Sequence, residues 1–176
     1  MKKILIAVMA CICALFSGCK KELPTVETMN KVAGAVGIAA GTVANMTKID
    51  DTSRNVICDI MGKVREFVPA KDQTFTECWV PIADAYIKEF KDAGKINDLQ
   101  ESLIKSGVKI ACKGIDYIFD KKYPKAKEIE ELTRAATSGF IDNFLTVFKP
   151  VDANAAEKAK ANMDKDAYEY LVKEIK

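Results

Sequence analysis

Two hydrophobic patterns divide the chain. Residues Ile4–Phe16 form an unbroken apolar run behind Lys2 and Lys3. From Thr25 onward, apolar residues recur three and four positions apart with charged residues between them, the period of amphipathic helices. No stretch of alternating β-branched residues marks a strand.

The period predicts a first helix over Val26 to Lys48. A second, capped by Asp51 or Thr52, places Ile57, Ile60, Met61, Val64 and Val68 on one face and turns Arg54, Lys63 and Glu66 to water, with Pro69 ending it. Thr74-Phe75-Thr76-Glu77 has capping-box spacing and opens a third helix bearing Cys78, Trp79, Ile82, Tyr86 and Phe90, stopped near Gly94. Pro81 lies in its first turns and leaves its start open. Asn97-Asp98-Leu99-Gln100 repeats the capping pattern ahead of a fourth helix that runs to Lys121 with a wide apolar arc, which places it centrally. Pro124 suits the start of a fifth, carrying Leu132, Phe140, Phe144 and Phe148 as far as Lys149-Pro150. Asn154 caps a sixth with Met163, Tyr170, Leu171 and Ile175. Five to six antiparallel helices with short connections make an all-α bundle, a single domain over residues 25–176.

The N-terminal run has different chemistry. It is about the length of a signal h-region and too short to span a bilayer comfortably. Small residues follow it, and Leu15-Phe16-Ser17-Gly18-Cys19 resembles the lipobox of bacterial lipoproteins. Phe16 stands where that family prefers Leu, Val or Ile. The resemblance covers the targeting segment alone. It implies removal of residues 1–18, acylation of Cys19, and a lipidated tether over residues 19–24. It further implies the bacterial cell envelope. Lys20 in place of the Asp that retains such proteins at the inner membrane favours the outer membrane of a Gram-negative host, facing the periplasm or the cell surface.

Removing the signal changes the charge. The chain has 27 basic and 25 acidic residues, and Lys2 and Lys3 account for the excess. The mature chain is balanced, which argues against a nucleic-acid partner. Cys58, Cys78 and Cys112 remain beside Cys19. The envelope permits disulfides, so one pair among these three is expected as readily as three buried thiols, and spacing does not choose the pair.

Within the mature chain the conspicuous segment is Val32–Thr47, uncharged and containing Gly34, Gly37 and Gly41. Each helical glycine costs up to about 1 kcal/mol against alanine, so three need a compensating contact. Gly37 and Gly41 share a helix face and admit close approach of a second backbone. That face is either a packing surface within the bundle or a surface for membrane contact or self-association. Trp79, Tyr86, Tyr117, Tyr123, Tyr168 and Tyr170 are core residues by spacing, with a ligand groove as the alternative. Lys121, Lys122, Lys125 and Lys127 are offset by Glu128, Glu130 and Glu131 and read as a solvated surface.

The chain has no histidine, which removes the commonest general base and metal ligand. It contains no CxxC, phosphate loop, nucleophile elbow or calcium loop. The expectation is a non-enzyme with no cofactor and no metal, held to the membrane through acylated Cys19. Its partner is another envelope protein or a second copy. A surface-exclusion or receptor-masking lipoprotein is one concrete form. A helical carrier for a small hydrophobic or lipidic ligand, and an oligomeric assembly built on the Gly-rich helix, are the alternatives.

Overall fold

The computed structural model describes residues 23–149 and 152–174, all helix and connecting turns, with no strand among them. Seven α-helices follow one another: α1 (Val26–Asn45), α2 (Asp51–Val64), α3 (Phe75–Asp92), α4 (Asp98–Tyr117), α5 (Glu130–Phe148), α6 (Ala153–Lys160) and α7 (Lys165–Glu174). A π-turn (Ile118–Lys122) and a 3-10 turn (Pro124–Glu128) link α4 to α5.

Local chemistry sets most of the starts and stops. Thr74 Oγ1 accepts from the Glu77 amide while the Glu77 carboxylate takes the Thr74 amide at 2.7 Å, the expected capping box. Asn97 and Gln100 close the same box on α4. Gly94 ends α3 at φ 66°, and the Lys95 amide returns to the Phe90 carbonyl, a Schellman-type stop. Pro81 stays inside α3, whose start is fixed about two turns earlier by Thr74.

Several boundaries differ from the periodicity. α1 ends at Asn45, where Thr47 Oγ1 takes the Ala44 carbonyl and Lys48 turns left-handed at φ 53°. The cap of α2 is Asp50, whose carboxylate accepts from the Thr52 and Ser53 amides and the Ser53 hydroxyl. Pro124 opens the 3-10 turn, and α5 begins only at Glu130. The sixth helix divides in two at Ala161-Asn162, and Asp152 supplies the α6 cap. Arg54 is half-buried, where the helical period turned it to water. Its Nη1 donates to Asn45 Oδ1 and to the Phe148 carbonyl, Nη2 donates to the Ile49 carbonyl, and the guanidinium lies 4.9 Å from the Phe148 ring centre. The ends of α1 and α5 thus meet at one side chain.

The organising contact is between α1 and α5. Asn30 Nδ2 donates to the Ala135 carbonyl near the start of both helices, and Asn45 Nδ2 to the Val147 carbonyl near their ends. The pair therefore runs parallel, a departure from an all-antiparallel bundle. The long path through α2, α3 and α4 makes this connection feasible. Between the two asparagines, Gly34, Gly37 and Gly41 form a bare stripe. A Cβ on Gly41 would lie 2.7 Å from the Phe144 carbonyl oxygen, and one on Gly34 2.7 Å from Asn143 Nδ2. On Gly37 it would overlap the Phe140 carbonyl, and on Gly139 of α5 the Asn30 carbonyl. The backbones touch because α1 presents no side chain at Gly34, Gly37 and Gly41, and α5 presents none at Gly139.

Around this pair the core fills from both sides. α4 runs opposite to α1, with Gly114 against Ala40 and Phe140, and Gly107 against Ile49 and Ile57. Phe140, Phe144 and Phe148 stack along α5, and Phe75, Trp79 and Phe119 cluster between α3 and the π-turn. All six rings are 0–3% exposed.

Gly37→Ala tests the backbone contact. The methyl group improves helix propensity by about 1 kcal/mol, yet overpacking against Phe140 costs roughly 1–3 kcal/mol, and more where backbone must move. The expected outcome is net destabilisation in urea unfolding, with Gly139→Ala behaving alike.

Candidate functional site

Cys19 lies outside the described residues. The three glycines Gly34, Gly37 and Gly41 are buried, and α5 covers the face they share. That face is occupied by the chain itself and is not open to a bilayer. Among the described residues no helix is long and apolar enough to cross a membrane.

Cys58, Cys78 and Cys112 are free thiols on α2, α3 and α4. Burial pushes all three thiols up from their ordinary range, Cys112 most strongly, where the nearby Asp116 carboxylate adds to it. Thiols held protonated are weak nucleophiles.

Asp116 is the one carboxylate within the buried set, 9% exposed. It projects from the last turn of α4 onto the start of α3. Its oxygens accept from the Phe75 amide at 2.7 Å, the Thr76 amide at 3.1 Å and the Thr76 hydroxyl at 2.6 Å. The acid thus caps a second helix, where the helix dipole also favours it. Burial nevertheless raises its pKa, and Asp120 contributes in the same direction. With its oxygens engaged by backbone and hydroxyl donors, its role is structural. The signal for it in the sequence is an acid on the buried arc of α4, between Ile115 and Phe119.

No group of three or more Cys, Asp or Glu side chains is placed to hold a metal ion among the described residues. The predicted aromatic residues scatter. Trp79 is buried and donates Nε1–H to the Phe67 carbonyl at 2.8 Å. Tyr117 and Tyr170 pack together between α4 and α7, ring centres 5.1 Å apart. Tyr168 reaches Met46, its hydroxyl 3.6 Å from Sδ.

Tyr86 lines an open groove between α2 and α3 of about 870 Å³. Its floor and walls are Cys58, Gly62, Phe67, Ile82, Tyr86 and Phe90, with Asp59, Lys63 and Glu66 along the α2 rim. Lys63 Nζ sits 5.9 Å from the Tyr86 ring centre, and Lys95 Nζ 5.4 Å from that of Phe90. Phe67 is 49% exposed at one end. None of Asp59, Lys63 or Glu66 forms an ion pair within the described residues, so their charges face solvent unneutralised.

Gly62 distinguishes this groove from the rest of the surface. A Cβ built on any other helical glycine meets an atom of the chain within 3.0 Å, whereas one on Gly62 meets nothing within 4 Å. Gly62 costs α2 about 1 kcal/mol against alanine with no internal contact in return. What it does provide is an unobstructed groove wall. The helical period could not single it out, because an open and a packed glycine look alike in sequence.

No protein-family model matches the chain, and neither does any curated protein or solved structure.

The Asp116 cap has a pH signature. Because burial lifts its folded-state pKa above the unfolded 3.8, the folded chain holds this proton more tightly. The stability it contributes is present below the unfolded pKa and is lost as pH rises through the folded one. Asp116→Asn keeps one acceptor and removes the charge. Urea unfolding should therefore show the wild type losing ground to this variant between pH 4 and pH 7. Asp116→Leu leaves the Phe75 and Thr76 amides unpaired and should cost about 1–3 kcal/mol at both pH values.

Proposed function

We propose that the protein is a lipid-anchored, non-enzymatic component of the bacterial cell envelope that acts by protein–protein contact, with the α2/α3 groove as its docking face. The observation that carries the contact half of this reading is Gly62, the helical glycine whose cost has no compensation inside the chain. The α2 wall of the groove runs about 9 Å from Cys58 to Val64, enough for nearly two turns of a partner helix. Half-buried Ile82, Tyr86 and Phe90 and the unpaired rim charges supply the apolar centre and polar edge typical of such sites. The anchoring half rests on the apolar run and on Ser17-Gly18-Cys19.

Self-assembly through Gly37 and Gly41 has lost its surface to α5, which moves the contact from α1 to α2. Within this class, masking of an envelope receptor against phage or conjugative entry is the narrower proposal. It predicts reduced phage or conjugation sensitivity in cells that express the protein, and unchanged sensitivity counts against it.

Two variants test the two halves separately. Cys19→Ser should abolish fatty-acid incorporation and signal removal, seen as an unprocessed, unacylated mass. Continued acylation removes the anchoring proposal. Gly62→Leu adds a side chain where the chain offers open space, so the thermal melt should be retained while cross-links to envelope proteins are lost. An unchanged cross-linking pattern removes the groove.

A further inference from the structure

We propose that the end of the molecule formed by the starts of α1 and α5 and the C-terminus of α2 lies on the bilayer, with Leu23, Val26 and Phe67 set into its interface. This rests on the lipid-anchored reading and adds an orientation to it.

The helix register brings these residues to one end. Asn30 is bonded to Ala135, which puts Val26, one turn earlier, level with the first turn of α5. α2 runs the other way along α5: Arg54 meets Phe148, while Arg65 donates to Ser138 Oγ at 3.2 Å and pairs with Asp142. Phe67 and the Val68–Lys71 segment then border Glu130, Thr133 and Arg134 in a shared groove. Val26 and Phe67 thus flank the first turn of α5. Leu23, Val26 and Phe67 are 50%, 41% and 49% exposed, three of the five large apolar residues so exposed. The other two, Met46 and Leu99, lie at the opposite end. Met46 follows the last residue of α1, and Leu99 neighbours Gln100, whose side chain reaches the Asp50 cap.

The tether decides between the two ends. Leu23 is four residues after Cys19. Four residues reach at most about 14 Å when extended. The twenty residues of α1 are about 30 Å long, so this tether excludes the inverted molecule in which Met46 touches the membrane and Leu23 stands away from it, and the exposed apolar residues at the Leu23 end favour the upright orientation over one with α1 lying flat. The charges nearby specify what kind of contact forms. Lys71, Lys127 and Arg134 stand among Glu66, Glu128 and Glu130, and Arg134 is paired with Glu130 at 2.8 Å. This end has no basic excess to seek anionic headgroups. The contact is therefore apolar insertion at the interface, independent of lipid charge.

Quenching by lipid tests this. The acylated full chain is placed in phosphatidylcholine vesicles containing acyl-brominated phosphatidylcholine, and a second tryptophan is introduced as Phe67→Trp or as Met46→Trp. The parent chain, with Trp79 alone, supplies the emission and quenching that are subtracted from each variant, because the Trp79 indole lies against the Phe67 carbonyl, and retained thermal melts confirm that each variant folds. Phe67→Trp should lose at least half of its added emission to the brominated lipid, at low and high salt alike. Met46→Trp should lose none. Protein that floats with the vesicles but shows no quenching at position 67, or equal quenching at position 46, overturns the orientation while leaving the anchor intact. Quenching at position 67 that disappears in high salt overturns apolar insertion. Protein that does not float overturns the orientation together with the anchored reading.

Discussion

Backbone contact between α1 and α5 is the constraint on which the remaining structure depends. Two helices can approach this closely only where one of them carries no side chain at the contact, and Gly34, Gly37, Gly41 and Gly139 supply that absence. Asn30 and Asn45 then fix the register at both ends. With the pair set, α4 and α7 have one flank of α1 to pack on, and Arg54 can reach the last carbonyl of α5 from α2. The phenylalanine stack along α5 packs beside that seam. Each of these contacts presupposes the parallel pair and none of them would by itself create it.

Local signals in the sequence were the most legible part. Thr74 with Glu77 and Asn97 with Gln100 mark helix starts because the partners lie three residues apart, within reach of any reading that knows the geometry. Gly94 marks a stop for the same reason. Helical period identifies faces, and so the all-helical class, but carries no information on direction. A stripe of glycine on α1 accepts a parallel or an antiparallel partner equally well. The parallel pairing is decided by Asn30 and Asn45, whose partners are 105 and 102 residues away. Asp116 and Arg54 were missed on similar grounds. Each is a charged residue whose place is set by a backbone group on another helix, and a charge on a helix usually marks the wet side.

The groove between α2 and α3 was half legible. Tyr86 and Phe90 were visible as helical-spaced aromatics, and the open character of Gly62 was not. In the proposed orientation α2 stands roughly along the bilayer normal, so the groove opens sideways above the membrane. A partner anchored in the same bilayer could approach it laterally, whereas Met46 and Leu99 face away from the lipid. In that proposal location and contact are linked by the four residues that separate Cys19 from Leu23.

The sequence distance across the α1–α5 seam has a consequence for how the protein comes into being. Closing a loop of about one hundred residues carries an entropic cost, and that cost falls on the α1–α5 seam while most of the remaining contacts are local. α1 is the first of the described helices along the chain, and its glycine face is covered by residues 130–148, which follow it. Without them the segment Val32–Thr47 is apolar, uncharged and uncovered. Covering of the Val32–Thr47 face therefore waits on residues 130–148, so a chain cut short before α5 leaves that face bare.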